Sequence, residues 1–139
     1  MIQIIAGEKG KGKTKILIAK VNEEVQTTKG NVVYLDKNIK HMYELSNKIR
    51  LINVNDFLIV NSDEFLGFIC GIISQDNDLE KVYLDSFLSI SSIKDNNMED
   101  VFNKLNQISE QFSVDFIISI SVNKNHIPEN YVNNIIEAL

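Results

Sequence analysis

Tryptophan is absent, cysteine, proline and arginine each occur once, and no apolar run is long enough to cross a bilayer. Each shortage excludes something. A lone thiol, Cys70, forms no internal disulfide and no Cys-rich metal site, and it reads as a small buried hydrophobe. The single proline, Pro128, argues against long irregular regions. The apolar stretch Phe65-Leu66-Gly67-Phe68-Ile69-Cys70-Gly71-Ile72-Ile73 covers about nine residues where a span needs about 20, so no membrane association is expected. Its Gly-x-x-x-Gly spacing fails as a membrane-dimer signal for the same reason. The first residues, Met1 to Ala6, carry no positive leader, so no signal peptide is read there and the expected location is the cytoplasm. The only arginine, Arg50, leaves one candidate within the chain for a catalytic arginine, and surface charge is its expected role. Net charge is -5, which disfavours nucleic acid as a partner. His41 and His126 stand alone in the sequence and do not read as metal ligands.

What is present is an alternation of short apolar runs with longer helical-period segments over 139 residues, 44% of them hydrophobic. That suits one α/β domain over residues 1–139. Strands are expected at residues 2–6, 31–36, 81–85 and 114–121, with a weaker one at 49–54. Helices are expected from Thr14 to about Gln26, ended by Gly30, and from Asn61 or Ser62 to Gln75. A third opens at Asn96 and buries Met98, Val101, Phe102, Leu105 and Ile108. A short helix is read near 39–46, and a last one from Pro128, with Tyr131, Val132, Ile135, Ile136 and Leu139 on its stripe. The 61–75 helix is apolar on most faces, which predicts deep burial with close approach at Gly67 and Gly71. Right-handed crossovers then give a mostly parallel sheet in a three-layer sandwich.

Gly7-Glu8-Lys9-Gly10-Lys11-Gly12-Lys13-Thr14 satisfies G-x-x-x-x-G-K-[ST] without a mismatch. A loop that curls around a phosphate with its N–H groups inward needs backbone angles that side chains obstruct, and Gly7, Gly10 and Gly12 remove them. The following helix start presents free N–H groups and a positive dipole end. Lys13 supplies an ammonium to the β/γ-phosphates and Thr14 a hydroxyl to Mg²⁺; Lys9, Lys11 and Lys15 make the mouth basic. By chance the bare pattern occurs in roughly one such chain in two hundred. Here a strand precedes it and a helix follows.

On these residues the chain resembles the P-loop NTPase superfamily, with a RecA-like arrangement preferred over a kinase- or GTPase-like one. Through Gly7–Thr14, Asn31–Asp36, His41–Tyr43, Gly67–Gln75 and Tyr83–Asp85 it also resembles a group of small Firmicutes ATP-binding proteins, some labelled by analogy with twitching-motility (pilus-retraction) ATPases. The additional acidic, His-containing and arginine-finger elements of pilus ATPases are not found here, so the motility label is not carried over.

The resemblance implies ATP and Mg²⁺ as cofactors and a Walker-B aspartate after an apolar strand. Asp85 is preferred over Asp36 for that place, which makes Lys13 and Asp85 the catalytic candidates and Thr14 and Asp85 the metal ligands. Asp36 is the candidate for orienting water. Ser86 follows Asp85 where many hydrolysing relatives place a glutamate, and this shifts the reading toward binding or slow turnover. Ser119, Ser121 and Asn123 mark the end of the last expected β-strand; Ser121 or Asn123 is a sensor candidate. Asn123-Lys124-Asn125-His126 is similar to the guanine-reading N-K-x-D, with His126 replacing the essential aspartate. The preferred function is an ATP·Mg²⁺-dependent module with slow or partner-dependent hydrolysis, acting on a protein partner. A small-molecule phosphotransferase and a GTP-binding switch are the alternatives.

Overall fold

A computed structural model describes the backbone of residues 1–139 and every side chain except that of Asp95. Strands β1 (Ile2–Ala6), β2 (Asn31–Asp36), β3 (Ile49–Asn53), β4 (Leu79–Leu84), β5 (Asp115–Ile120) and β6 (Ile135–Ala138) form one six-stranded sheet in the order β3-β2-β4-β5-β1-β6. Every pairing is parallel. The helices are α1 (Lys13–Glu24), α2 (Ser62–Ser74), the short α3 (Phe87–Ile90) and α4 (Met98–Phe112).

Alternation along the strands sorts the core into two halves. Ile4, Leu35, Leu84 and Ile118 join α2 and α4 on one face, while Ile5, Tyr34, Tyr83 and Ile117 pack with Leu17 and Val21 of α1 on the other. A central parallel strand buries both faces, which explains its near-continuous apolar sequence. The expected three-layer α/β sandwich is thus the observed one. Register aligns the carboxyl ends: Ala6 pairs with Ile120, Leu84 with Ile118 and Leu35 with Leu84. The loops that follow β1, β2, β4 and β5 therefore open on one edge, where ligands of open α/β sheets bind.

Local signals set most helix ends. Asn61 caps α2 by accepting from the Glu64 N–H at 2.9 Å, and the Glu64 carboxylate accepts from the Val60 N–H at 2.8 Å, one residue before the position a capping box would use. The expected apolar face of α4 is buried in full. Helix α2 differs from expectation: only one side is buried, through Phe65, Leu66, Ile69 and Ile73. Gly67 and Gly71 lie exposed with nothing against them, so they permit no close approach, and Cys70 is half-buried. The helix near 39–46 is only a 3-10 turn at Met42–Glu44.

The last helix is a correction. Residues Glu129–Asn134 form a 3-10 segment and Ile135–Ala138 pair with β1. Tyr131 does turn inward, its ring 5.2 Å from Phe102. Beyond it the unpaired edge of β1 claims the chain: Asn134 Nδ2 donates to the Ile2 carbonyl at 2.8 Å, and the β-branched Ile135-Ile136 continues as strand. No helix is long and apolar enough to cross a membrane among the described residues.

Gly30 does not end α1, which stops at Glu24 with Val25 as its C-cap. A Cβ on Gly30 would lie 2.1 Å from the Asp78 carbonyl oxygen, at the closely packed entry to β2 and β4. Gly30→Ala is expected to destabilise the fold by about 3 kcal/mol, a cost of overpacking against backbone, read from the denaturation midpoint. An unchanged midpoint would mean that the strand entries move apart freely.

Candidate functional site

The P-loop spans the turn from β1 into α1. Gly10 and Gly12 both have φ of 87°, the left-handed region that a side chain disfavours, and Gly12 is the residue from which α1 starts. Gly7 has a different reason to be glycine: a Cβ there would come within 3.0 Å of the Leu139 Cβ, because the strand β6 runs past it. Lys13, only 8% exposed, donates from Nζ to the Glu8 carbonyl at 3.0 Å, so its ammonium lies folded across the loop. Burial lowers its pKa, and the neighbouring Asp85 carboxylate opposes that shift.

Asp85, at the end of β4, is 1% exposed and is the acceptor on which the site converges. Thr14 Oγ1 donates to its Oδ1 at 3.1 Å, joined there by Ser119 Oγ at 2.6 Å and the Ser86 N–H at 2.9 Å. Tyr34 Oη donates to Oδ2 at 2.7 Å from within the core. Burial, then the Asp85 charge, raise the Tyr34 pKa well beyond any working range, so its hydroxyl stays a donor. Ser86 adopts φ 54°, a left-handed conformation rare for a non-glycine residue, and starts α3 from it.

Gly10, Gly12, Lys13, Thr14, Asp85, Ser86 and Ser119 line one cavity of about 450 Å³ whose wall also includes Lys9, Lys37, Lys40, Ser89 and Ser121. Several expected residues lie elsewhere. Lys11 and Lys15 are exposed and outside the wall. Asn123 accepts from the Asn125 N–H in its own turn. Lys124 and Asn125 face a separate cavity with Ile127 and Glu129. Arg50 borders another cavity with Asn31 and Lys48, among residues that begin β2 and β3, away from the P-loop. Tyr34, Lys37 and Lys40 were invisible to sequence reasoning: the first reads as a core aromatic and the lysines as loop charges.

Asp36 is 3% exposed at the end of β2, with Oδ1 accepting from the Lys37 N–H at 2.7 Å, and it does not line the cavity. Burial, and secondarily the Asp85 charge, raise its pKa. A carboxyl raised in the folded state binds more protons there than in the unfolded chain. Stability is therefore lost as pH rises from the ordinary aspartate range through the raised value. Asp36→Asn keeps the acceptor and removes the charge, so it is expected to melt higher than the native protein at pH 7. The two should converge below the aspartate range, and a lower melting point at pH 7 would contradict this.

The donor set fits a magnesium–nucleotide complex. Mg²⁺ takes oxygen ligands and needs only one or two from protein beside those of phosphate and water, and Thr14 Oγ1 and Asp85 Oδ1 stand together at the foot of the P-loop. Among the described residues no cluster of three or more acidic, His or Cys groups exists that would hold a metal unaided.

No protein-family model matches the chain, and no curated protein matches it. Solved structures do. The flagellar accessory protein FlaH from Methanocaldococcus jannaschii superposes with a TM-score of 0.62 at 17% identity, over 95% of this chain and 65% of that one. A KaiC-like protein from Pyrococcus horikoshii superposes with a TM-score of 0.57 at 19% identity, over 85% of this chain and 59% of that one. The chain thus spans less than two thirds of either length. At such identity the likeness is one of fold: RecA-like, with β5 lying between the P-loop strand β1 and the Asp85 strand β4.

Proposed function

We propose that this chain is an ATP·Mg²⁺-binding module of the cytoplasm, hydrolysing slowly or only with a partner, and that it controls a protein partner through nucleotide occupancy. The observation that carries the reading is the meeting of Thr14 and Asp85 at 3.1 Å beneath a glycine loop with the angles of a phosphate cradle. In this reading the P-loop amides and Lys13 hold phosphate, Lys13 leaving the Glu8 carbonyl to do so. Thr14 and Asp85 hold Mg²⁺, with Tyr34, Ser119 and the Ser86 N–H fixing the carboxylate. When bound, Mg²⁺ neutralises charge on the β- and γ-phosphate oxygens. Kinship with the small Firmicutes ATP-binding proteins belongs to the same reading; motility does not.

Slow turnover follows from what else lines the cavity. Among the described residues Asp85 is the only carboxylate in the wall, and serines occupy the positions around it. A group able to take a proton from water or orient it is thereby displaced to Asp36, buried one strand away. Single-turnover hydrolysis of ATP should run well below the ~1–100 per second of kinases. A native rate in that range without a partner would overturn the slow module. If Asp36 orients the water, Asp36→Asn lowers the residual rate about 100-fold; an unchanged rate removes Asp36 from the mechanism. Competition by GTP as strong as by ATP would replace the adenine reading with a GTP-binding switch.

A further inference from the structure

The geometry points to Lys37 and Lys40 as a second cationic arm that binds the terminal phosphate of a nucleoside triphosphate and separates triphosphate from diphosphate. This rests on the nucleotide reading above and specifies what the site would distinguish. Both lysines line the cavity that holds Lys9 and Lys13, so four lysines share that wall with one carboxylate among the described residues, Asp85. Among the described residues, neither Lys37 nor Lys40 makes an ion pair. Like charges gathered in one cleft repel, and a polyanion bound between them relieves that repulsion.

The arm is built rather than merely exposed. Asp36 Oδ1 accepts from the Lys37 N–H at 2.7 Å, Asn38 Oδ1 accepts from the Lys40 N–H at 3.1 Å, and Asn55 Nδ2 donates to the Lys37 carbonyl at 2.6 Å. The Asn38 turn puts Lys37 and Lys40 on the cavity while Ile39 between them is 52% exposed.

Position selects the terminal phosphate. Along the sheet the order runs β1 with the P-loop, β5, β4 with Asp85, then β2 with the lysine arm. Asp85, which would hold Mg²⁺ against the β- and γ-phosphates, follows the strand β4 that lies between β1 and β2, and the γ-phosphate is the one a diphosphate lacks. Among the described residues no arginine lines the cavity. The two lysines thus supply, from the same chain, cationic charge that no arginine of the cavity provides.

Isothermal titration of the full chain with Mg·ATP and with Mg·ADP tests this on the native protein, K37Q/K40Q and K37R/K40R. The native chain should prefer ATP. The glutamine pair should weaken ATP binding by about 10- to 100-fold and ADP binding by no more than about threefold, as loss of charge-assisted contacts to one phosphate requires. The arginine pair should keep the preference. Equal weakening of ATP and ADP, or no change in either, would overturn the arm while leaving the nucleotide site intact. Failure of the native chain to bind either nucleotide is a separate outcome and removes both readings. Should the double glutamine variant not fold, K37Q and K40Q alone carry the same ATP-to-ADP comparison.

Discussion

Asp85→Asn is expected to keep the fold and abolish the Mg²⁺ dependence of ATP binding, whereas Asp85→Ala loses both. The reason lies in the four donors that converge on this carboxylate. An asparagine can leave its oxygen facing Thr14, Ser119 and the Ser86 N–H, and its amide can donate to Tyr34 once the phenol rotates to accept. The cost to stability should be about 1–2 kcal/mol, since every oxygen of the cluster keeps a partner and only the phenol hydrogen loses its acceptor. Alanine strands the Tyr34 and Ser119 hydroxyls at a site 1% exposed, and a loss of about 2–5 kcal/mol follows. The neutral amide is also a poor ligand for a hard cation, so the gain in affinity that Mg²⁺ brings should disappear in the Asn variant. Denaturation midpoints combined with titrations at zero and millimolar Mg²⁺ separate the two effects. Equal destabilisation by Asn and Ala would show that charge, not hydrogen bonding, holds the cluster. Mg²⁺ dependence surviving in Asp85→Asn would take this residue out of the metal site.

Lys13→Met should weaken ATP binding by about 100-fold without weakening the fold. The affinity loss follows from removing a charge-assisted contact to phosphate in a partly desolvated site. Stability behaves differently because burial holds the Lys13 pKa below its ordinary value. The folded chain then binds fewer protons than the unfolded one between the lowered and ordinary values, so stability rises with pH across that window. Below it the desolvation cost of the ammonium is carried in full. Methionine keeps much of the apolar stem and removes the charge; what is lost is the bond to the Glu8 carbonyl, at about 1 kcal/mol, and an attraction to Asp85 that is smaller than the desolvation it opposes. A melting point equal to or above that of the native protein is expected in the absence of nucleotide. A marked fall would mean that Lys13 is a structural residue of the loop.

The parts of this molecule that were legible in the sequence are those governed by local rules. The P-loop spacing, the Asn61 cap and the apolar stripe of α4 each depend on residues a few positions apart, and the chain places them as expected. The helix expected after Pro128 failed for a non-local reason. Its stripe at Tyr131, Ile135 and Leu139 is equally compatible with a helix, but the edge of β1 was open, and pairing with a segment 131 residues away in sequence (Ile4 with Ile135) decided the outcome. Gly67 and Gly71 misled in the same way, since glycine alone does not reveal whether a neighbour approaches.

Within the site, Asp36 and Asp85 both follow apolar strands and sequence alone separates them weakly; the structure puts Asp85 at 3.1 Å from Thr14 and leaves Asp36 out of the cavity wall. Tyr34 could not be found: it occupies a buried position in a β-strand, as core aromatics do, and only its hydroxyl, 51 positions from Asp85 in sequence, ties it to the site. Lys37 and Lys40 likewise resemble solvated loop charges until the parallel register brings the end of β2 beside that of β4.

The central claim is that Gly7–Thr14 cradles the phosphates of ATP with Mg²⁺ held at Thr14 and Asp85. Isothermal titration of the native chain with ATP, with and without Mg²⁺, tests it most directly. Saturable binding at one site per chain, strengthened by Mg²⁺, is the predicted result; no detectable heat with millimolar ATP and Mg²⁺, under conditions where the chain is folded, would contradict it.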